Sequence, residues 1–478
     1  MKSTLLPIIE TEHLLKHTTS RCPVCHVSCP AEVWRIDGKP SKVFLKRFCQ
    51  EHGEASACIA SDARFYWLAK GNSENSNGCC SGSACCASDG SPAGTLGRNA
   101  EPGDALGVQE KLSTCLALIE IVNSCNLSCP TCYADSPLGA GQKVDAVPLT
   151  DLQRRIQGVI DRKGKIEILQ LSGGEPTLHP QFFELVEWLQ QNPGIDYVLL
   201  NTNGVRIAHD DVFARQLAEV NRRRRFQLYL QFDGTQLDGQ HSLRGADFRE
   251  TRVWAVERCR DIGLPITLAM TVTAENLPFL WDAIEFGLRY PHIRGISFQP
   301  MFNSGRVPRH NGGADLSVGQ DARQRTPTQK RLNTADIILA AVEQSNGQLR
   351  FDDFTPLPCG DPNCATIGYL LKVNGAVRSV SDFIDFTQVQ GFLRDRVRYR
   401  LEDLMKCGCE SEPLGELLKQ FEMDESNTFR LFIKPFMDAW TWDEDRIDRC
   451  CTHVIRPDGK LDSFCRYYSG FVDCMTPP

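Results

Sequence analysis

From about residue 113 to 305, short apolar runs alternate with longer stretches of helical period. The runs are CLALIEIV, KIEILQLS, DYVLLNTN, FQLYLQFD, ITLAMTVT and GISFQPM. Each has strand length and is rich in branched or aromatic residues. Between them lie 150–163, PQFFELVEWLQQ, DVFARQLAEV, FRETRVWAVERCRDIG and NLPFLWDAIEFGLRY, whose apolar residues recur three and four apart. Six strands alternating with five helices predict parallel strands joined by crossover helices, an α/β fold. The strands read as continuously apolar, which predicts a sheet covered on both faces. Ligands of such sheets gather at the carboxyl ends of the strands. The polar signatures stand at those ends: Ser124 onward, SGGEP, NTNG, QFDG, TVT and QPM.

The flanks read differently. Residues 1–70 form a small module: RCPVCHVSC is a CxxC turn, AEVWRIDGKPSKVFLKRFC reads as two short strands around an Asp-Gly turn, and CQEHG closes it. Residues 71–110 turn to Gly, Ser, Ala and Asn and read as a linker, although NGCCSGSACC places four cysteines in it. The core spans 111–305. In the remainder, 306–478, a polar Arg/Gly-rich stretch to 330 predicts an irregular loop or lid. A smaller α+β region then opens with the helical TADIILAAVEQ.

Composition narrows the class. A chain of 478 residues holds two to four domains, and 41% hydrophobic with 24% charged residues is ordinary for a globular protein. A net charge of −7 gives no basis for nucleic-acid binding. No apolar run has the length of a membrane span, and the N-terminal stretch lacks a signal-peptide pattern, so a cytoplasmic protein is expected. The outlier is 22 cysteines. In a reducing compartment, clustered cysteines favour metal over disulfides.

Cys125, Cys129 and Cys132 are spaced as on a helix face, but Pro130 breaks a helix there. The loop is polar and follows a strand directly, so the thiolates converge where ligands bind. This spacing suits iron–sulfur ligation, and three thiolates leave one iron of a four-iron cluster open. Cys22, Cys25 and Cys49 with His52 or Cys58 read as a mononuclear zinc or iron knuckle; His52, one turn from Cys49, is favoured. Cys359 and Cys364, with Cys450 or Cys451 and Cys465, supply four thiolates for an auxiliary cluster. Cys80 and Cys85 of the linker, with Cys115 just beyond it, are candidates for another. Cys259 on an amphipathic helix reads as core.

C-x3-C-x2-C after the first strand, followed by GGEP after the second, resembles the radical S-adenosylmethionine (radical SAM) superfamily. The resemblance implies a partial (β/α)6 TIM barrel and a 4Fe–4S cluster on Cys125, Cys129 and Cys132. It also implies S-adenosylmethionine on the open iron, cleaved reductively to a 5′-deoxyadenosyl radical that abstracts hydrogen. Gly173, Gly174, Glu175 and Pro176 would then receive the methionyl amino group. Asn203, Gln231 and Asp233 would bond ribose or substrate, Thr271 stands at the next strand end, and Gln299 would meet adenine. A reductant such as ferredoxin or flavodoxin is the implied partner. Thr131 departs from the bulky residue usual before the last cysteine.

The order CPxC…CxEHG, STCL, LQFDG, FQP and PDGKLDSFC is similar to the tetraether lipid synthase group, over nearly the full length. That similarity implies abstraction from an unactivated C–H, with lipid chains as a substrate to be coupled through carbon at a membrane surface. The paired CC…CC of the linker departs from that group. A radical SAM maturase of a peptide or small molecule is the alternative. A non-catalytic zinc-binding adaptor is a different class, against which the acidic balance and SGGEP stand.

Overall fold

The computed structural model describes residues 11–67, 110–307 except 111, 140 and 224, 316–318, 324–327, 331–382 except 358, 359, 374 and 375, and 427–469. Cys80, Cys85 and Cys359 lie outside the described residues.

Strands β1 (Glu12–Arg21), β2 (Ser28–Ile36), β3 (Lys42–Cys49) and β4 (Gly53–Ala60) form an antiparallel meander. Alternate residues Ala31 and Val33 on β2 and Val43 and Leu45 on β3 turn inward and are buried, as the period of two requires. The Asp37-Gly38 turn separates β2 from β3, as predicted.

The core strands are β5 (Leu116–Val122), β6 (Ile166–Gly173), β7 (Ile195–Thr202), β8 (Phe226–Gln231), β9 (Ile266–Val272) and β10 (Ile293–Pro300). Each pairs in parallel with the next. The crossover helices are α1 (Leu149–Lys163), α2 (Phe182–Gln191), α3 (Asp211–Asn221), α4 (Arg249–Asp261) and α5 (Leu280–Leu288). Helix α1 shows why these segments are helical. Leu152, Ile156, Val159 and Ile160 fall on one buried stripe. Asp151 sits in the first turn and Arg162 and Lys163 in the last, matching the helix dipole, and Gly164 at φ +94° closes the end. Truncating Leu152 or Ile156 to alanine would cost about 2–5 kcal/mol.

The expected continuous apolarity holds for one face only. Phe226, Leu228 and Leu230 of β8 and Ile266, Leu268 and Met270 of β9 are fully buried in the core beneath the helices. The residues between them, Gln227, Tyr229 and Gln231 on β8 and Thr267, Ala269 and Thr271 on β9, are half-buried. The alternation arises because the concave face lines a cavity, where polar side chains need no apolar partner.

Strands β11 (Leu316–Val318) and β12 (Gln324–Pro327) form a hairpin whose β12 pairs in parallel with β4. Part of the stretch expected as an irregular loop is therefore strand. Helix α6 (Thr334–Gln344) begins at Asn333, whose side chain caps the first turn reciprocally with Asp336. The later strands are β13 (Phe354–Pro356), β14 (Thr366–Val373), β15 (Ala376–Ser379), β16 (Thr428–Ile433), β17 (Thr452–Ile455) and β18 (Leu461–Ser463). They build no sheet of their own: β16 adds in parallel to β10 and carries β14, while β17 adds in parallel to β5 and carries β18. The α+β region expected to follow the core thus widens the core sheet at both edges. β5 and β10 do not pair with each other, so the sheet stays an open, partial barrel. No helix among the described residues is long and apolar enough to cross a membrane.

The meander docks on the C-terminal segment through Arg47, which is fully buried. Its guanidinium donates to the carbonyl oxygens of Ala439 and Trp440. Ser20 Oγ donates to the Trp442 carbonyl at 2.6 Å, and Thr18 Oγ1 to Asp443 at 2.7 Å. Replacing Arg47 with Met keeps bulk but leaves two buried carbonyls without donors, at about 1–3 kcal/mol each. Arg47→Met is expected to lower the unfolding midpoint in urea and to speed proteolysis after residue 67. An unchanged midpoint would show that this contact does not hold the module.

Candidate active site

The loop after β5 is held by backbone bonds rather than by a helix. Cys125 N–H donates to Pro137 O at 2.9 Å, and Cys132 exchanges backbone bonds of 2.9 and 2.8 Å with Arg306. The Arg306 guanidinium also donates to the carbonyls of Cys129 and Ser136, at 2.9 and 2.7 Å. The loop therefore has one shape without the i→i−4 ladder that Pro130 forbids. Cys125, Cys129 and Cys132 line a single cavity of about 240 Å³ with Gly173, Gly174 and Glu175.

Burial pushes the Cys125 thiol up to about 12, with the Glu175 charge adding to the rise. Burial also raises Cys129, against the pull of Arg244. Thiols so placed ionise only when a cation replaces the lost solvation, which a metal centre supplies. Among the described residues, only Cys22, Cys25, Cys49 and His52 bring their ligand atoms within 4.8 Å of one another. The wider-set loop trio suits a cluster in which each thiolate takes a different iron, and the tight quartet suits one ion.

Two glycines let β6 reach the loop. A β-carbon on Gly173, at φ +122°, would stand 2.0 Å from Val122 O, and one on Gly174 would stand 2.0 Å from Ser124 O. The close approach permits Gly174 N–H to donate to Val122 O at 2.8 Å and Glu175 N–H to Ser124 O at 3.1 Å. The Glu175 carboxylate is fully buried. Its oxygens accept from Thr177 N–H and Oγ1 (3.2 and 2.7 Å), Thr202 Oγ1 (2.7 Å) and Asn203 N–H (2.7 Å). Burial pushes its pKa upward and these donors oppose the shift. Glu175 thus ties the ends of β6 and β7 together. Asn203 in turn donates from Nδ2 to Asn126 Oδ1 at 2.7 Å and lies 3.8 Å from Cys125 Sγ.

Gln231, Thr271 and Gln299 line the same cavity as Asn203. Gln231 Oε1 accepts from Arg252 at 2.7 Å, and Gln299 Nε2 donates to the Tyr229 hydroxyl at 2.6 Å. Asp233 departs from its expected place. It is buried outside the cavity lining, and both carboxylate oxygens are taken, by Arg244 Nε and Nη2 at 2.6 and 2.9 Å and by Thr271 N–H at 3.0 Å. Asp233 positions Arg244, which does line the cavity, as Lys434 also does. Burial works against the Arg244 charge, but Asp233 more than offsets it and the pKa rises. Pro176 opens a buried 3-10 turn and also lies outside the lining. Sequence reasoning passed over Arg244; the signal was a lone arginine in QHSLRG just after a strand-end aspartate.

Five further thiols form two groups. Cys364, Cys450 and Cys465 are close enough for their charges to act on one another; burial is the larger cause raising all three, with Cys465 reaching about 11. Cys115 and Cys451 instead line the main cavity, and Cys115 N–H donates to Cys451 O at 2.9 Å. Cys450 and Cys451, expected as alternatives for one site, thus face two different places, and Cys115 sits beside Cys451. In the meander, burial raises Cys25 to about 11. Cys49, despite its own burial, is drawn down to about 7 by hydrogen bonds from His52.

Residues 119–286 match the family described as the Radical SAM superfamily, and residues 14–61 match the HMPTM N-terminal zinc ribbon domain. Residues 14–61 thus read as a zinc ribbon and residues 119–286 as a radical SAM core. It is similar to 7,8-dihydro-6-hydroxymethylpterin dimethyltransferase of Methanocaldococcus jannaschii, at 26% identity over 95% of this chain and 93% of that protein. It is also similar to a GTP 3',8-cyclase of Chlorobaculum tepidum, 37% identical over 18% of this chain and 25% of that protein. The mycofactocin maturase of Mycobacterium ulcerans is 29% identical over 36% of this chain and 43% of that protein. A radical SAM core uses a 4Fe–4S cluster and S-adenosylmethionine, and the donor sets above fit that cluster and a separate mononuclear ion.

Gly174→Ala forces the β6 end away from Ser124, so anaerobically reconstituted protein is expected to lose most of the iron and sulfide bound at the loop. Full retention of both would show that the close approach is not required. Cys49→Ser should remove one metal equivalent per chain while sparing that cluster, as read by metal analysis and by absorbance near 400 nm.

Proposed function

We propose that the enzyme abstracts hydrogen from an unactivated C–H bond of a substrate held in the cavity above Cys125, Cys129 and Cys132. When bound, the reduced cluster and S-adenosylmethionine supply a 5′-deoxyadenosyl radical for that abstraction. The observation that carries the reading is one cavity lined at once by the three thiols, by Gly173, Gly174 and Asn203, and by an apolar wall including Leu116, Leu118, Phe432, Phe436 and Phe464. The thiols hold the cluster, and the glycine backbone leaves room for the methionyl amino group. Asn203, Gln231, Thr271 and Gln299 offer hydrogen bonds to the nucleoside. The apolar wall offers a surface on which the carbon to be attacked can pack and be held in place. Arg244, held by Asp233, offers a cation for a carboxylate.

Cys364, Cys450 and Cys465 are proposed as ligands of an auxiliary cluster. Cys115 and Cys451 are proposed as ligands of another that opens on the cavity. A low-potential reductant such as ferredoxin or flavodoxin would supply electrons.

Two substrate readings remain within this chemistry. The apolar wall favours a hydrocarbon chain to be joined through carbon. Likeness over nearly the full length to a pterin dimethyltransferase favours a small molecule. A lipid substrate would bring the protein to a membrane surface.

Anaerobically reconstituted wild type is expected to be brown and to form 5′-deoxyadenosine when reduced with S-adenosylmethionine, and Cys125→Ala should form none. A colourless zinc-only protein, or full activity in the variant, would reject the reading. Lipid extracts of cells with and without the protein should differ by mass spectrometry if chains are joined, and identical extracts would leave the small-molecule reading.

A further inference from the structure

Gln170 stands on the concave face of β6, two residues before Ser172 and thus deeper in the sheet than Gly173 to Glu175. Its neighbours in register are Leu118 on β5 and Leu199 on β7. Cross-strand partners point to the same face, so the carboxamide is flanked by two side chains that cannot hydrogen-bond. It is only 8% exposed, lines the cavity, and has no hydrogen-bond partner among the described residues. An amide that opens on the cavity with no protein partner is free to be completed there by a bound molecule. Beside it on β7, Asn201 donates to Ser172 Oγ at 3.2 Å and to the Tyr133 hydroxyl at 3.4 Å. These bonds leave Oδ1 without a donor among the described residues.

Resting on the radical SAM reading of this cavity, we propose that Gln170, with Asn201, recognises a neutral substrate edge that carries an acceptor next to a donor, as in a heterocyclic lactam. A carboxamide offers one N–H side and one C=O side, so an adjacent acceptor–donor pair satisfies both at once. A carboxylate or an ammonium group would satisfy one side and leave the other facing a like atom. The leucines beside Gln170 hold no counter-charge for either ion. A pure hydrocarbon would leave the amide unpaired, so this floor selects against one.

The test uses the full-length reconstituted enzyme loaded with S-adenosylmethionine and, as probe, 6-hydroxymethylpterin, whose fluorescent pyrimidinone ring carries such an edge. Wild type is expected to quench the probe saturably. Gln170→Leu should weaken binding by about tenfold or more. The same variant should melt no lower than wild type, because leucine joins Leu118 and Leu199. Gln170→Met serves as a second apolar variant should Gln170→Leu misfold. A wild type that cleaves S-adenosylmethionine but does not bind the probe overturns the inference, as does equal binding by a folded apolar variant. A wild type that fails to cleave S-adenosylmethionine would reject the underlying reading instead.

Discussion

The site depends on one buried carboxylate. The Glu175 carboxyl group is buried, and such a group is tolerated only when its oxygens are satisfied. Its donors come from its own turn, from Thr202 and from Asn203, so the ends of β6 and β7 cannot part without stranding it. The same turn is drawn against the cysteine loop by backbone bonds that only Gly173 and Gly174 permit. Asn203 completes the circuit by donating to Asn126 in the loop. The cysteine loop, the glycine turn and the Asn203 end of β7 are thereby one rigid unit, which the proposed radical chemistry needs because a small displacement misdirects hydrogen abstraction.

Around that unit the cavity has two characters. The concave faces of the central strands present Gln170, Asn201, Tyr229, Gln231 and Gln299, while Phe432, Phe436 and Phe464 come from the C-terminal segment. In the proposed reading the polar side takes the nucleoside and a substrate head. The aromatic side keeps water out and can pack on carbon. Edge strands β16 and β17 bring the C-terminal segment to the site, and the zinc ribbon, clamped by Arg47, braces that segment from outside.

Much of this was legible along the chain. Helix α1, predicted over 150–163, spans Leu149–Lys163, because its apolar stripe and its Gly164 stop are local signals. The cysteine loop and GGEP were equally plain, since their chemistry lies in contiguous residues. The edge strands were not: β16 pairs with a strand over a hundred residues earlier, and no local pattern encodes that partner. FQLYLQ was read as apolar although it alternates strictly, and the overlooked period of two was the mark of a lined cavity. Asp233 could be seen as a strand-end carboxylate, but its saturation by Arg244 is a tertiary fact. Cys450 and Cys451 are adjacent in sequence yet serve different places, because the chain enters β17 there and successive side chains point apart.

The central claim is that the three-thiolate loop leaves one iron to S-adenosylmethionine inside this cavity. It is tested most directly by electron–nuclear double resonance on the reduced enzyme with S-adenosylmethionine carrying a nitrogen-15 label in the methionyl amino group. The account predicts a nitrogen coupling to the cluster in wild type that disappears when Cys125 is replaced by alanine. A reduced cluster that shows no nitrogen coupling while S-adenosylmethionine is bound would contradict it.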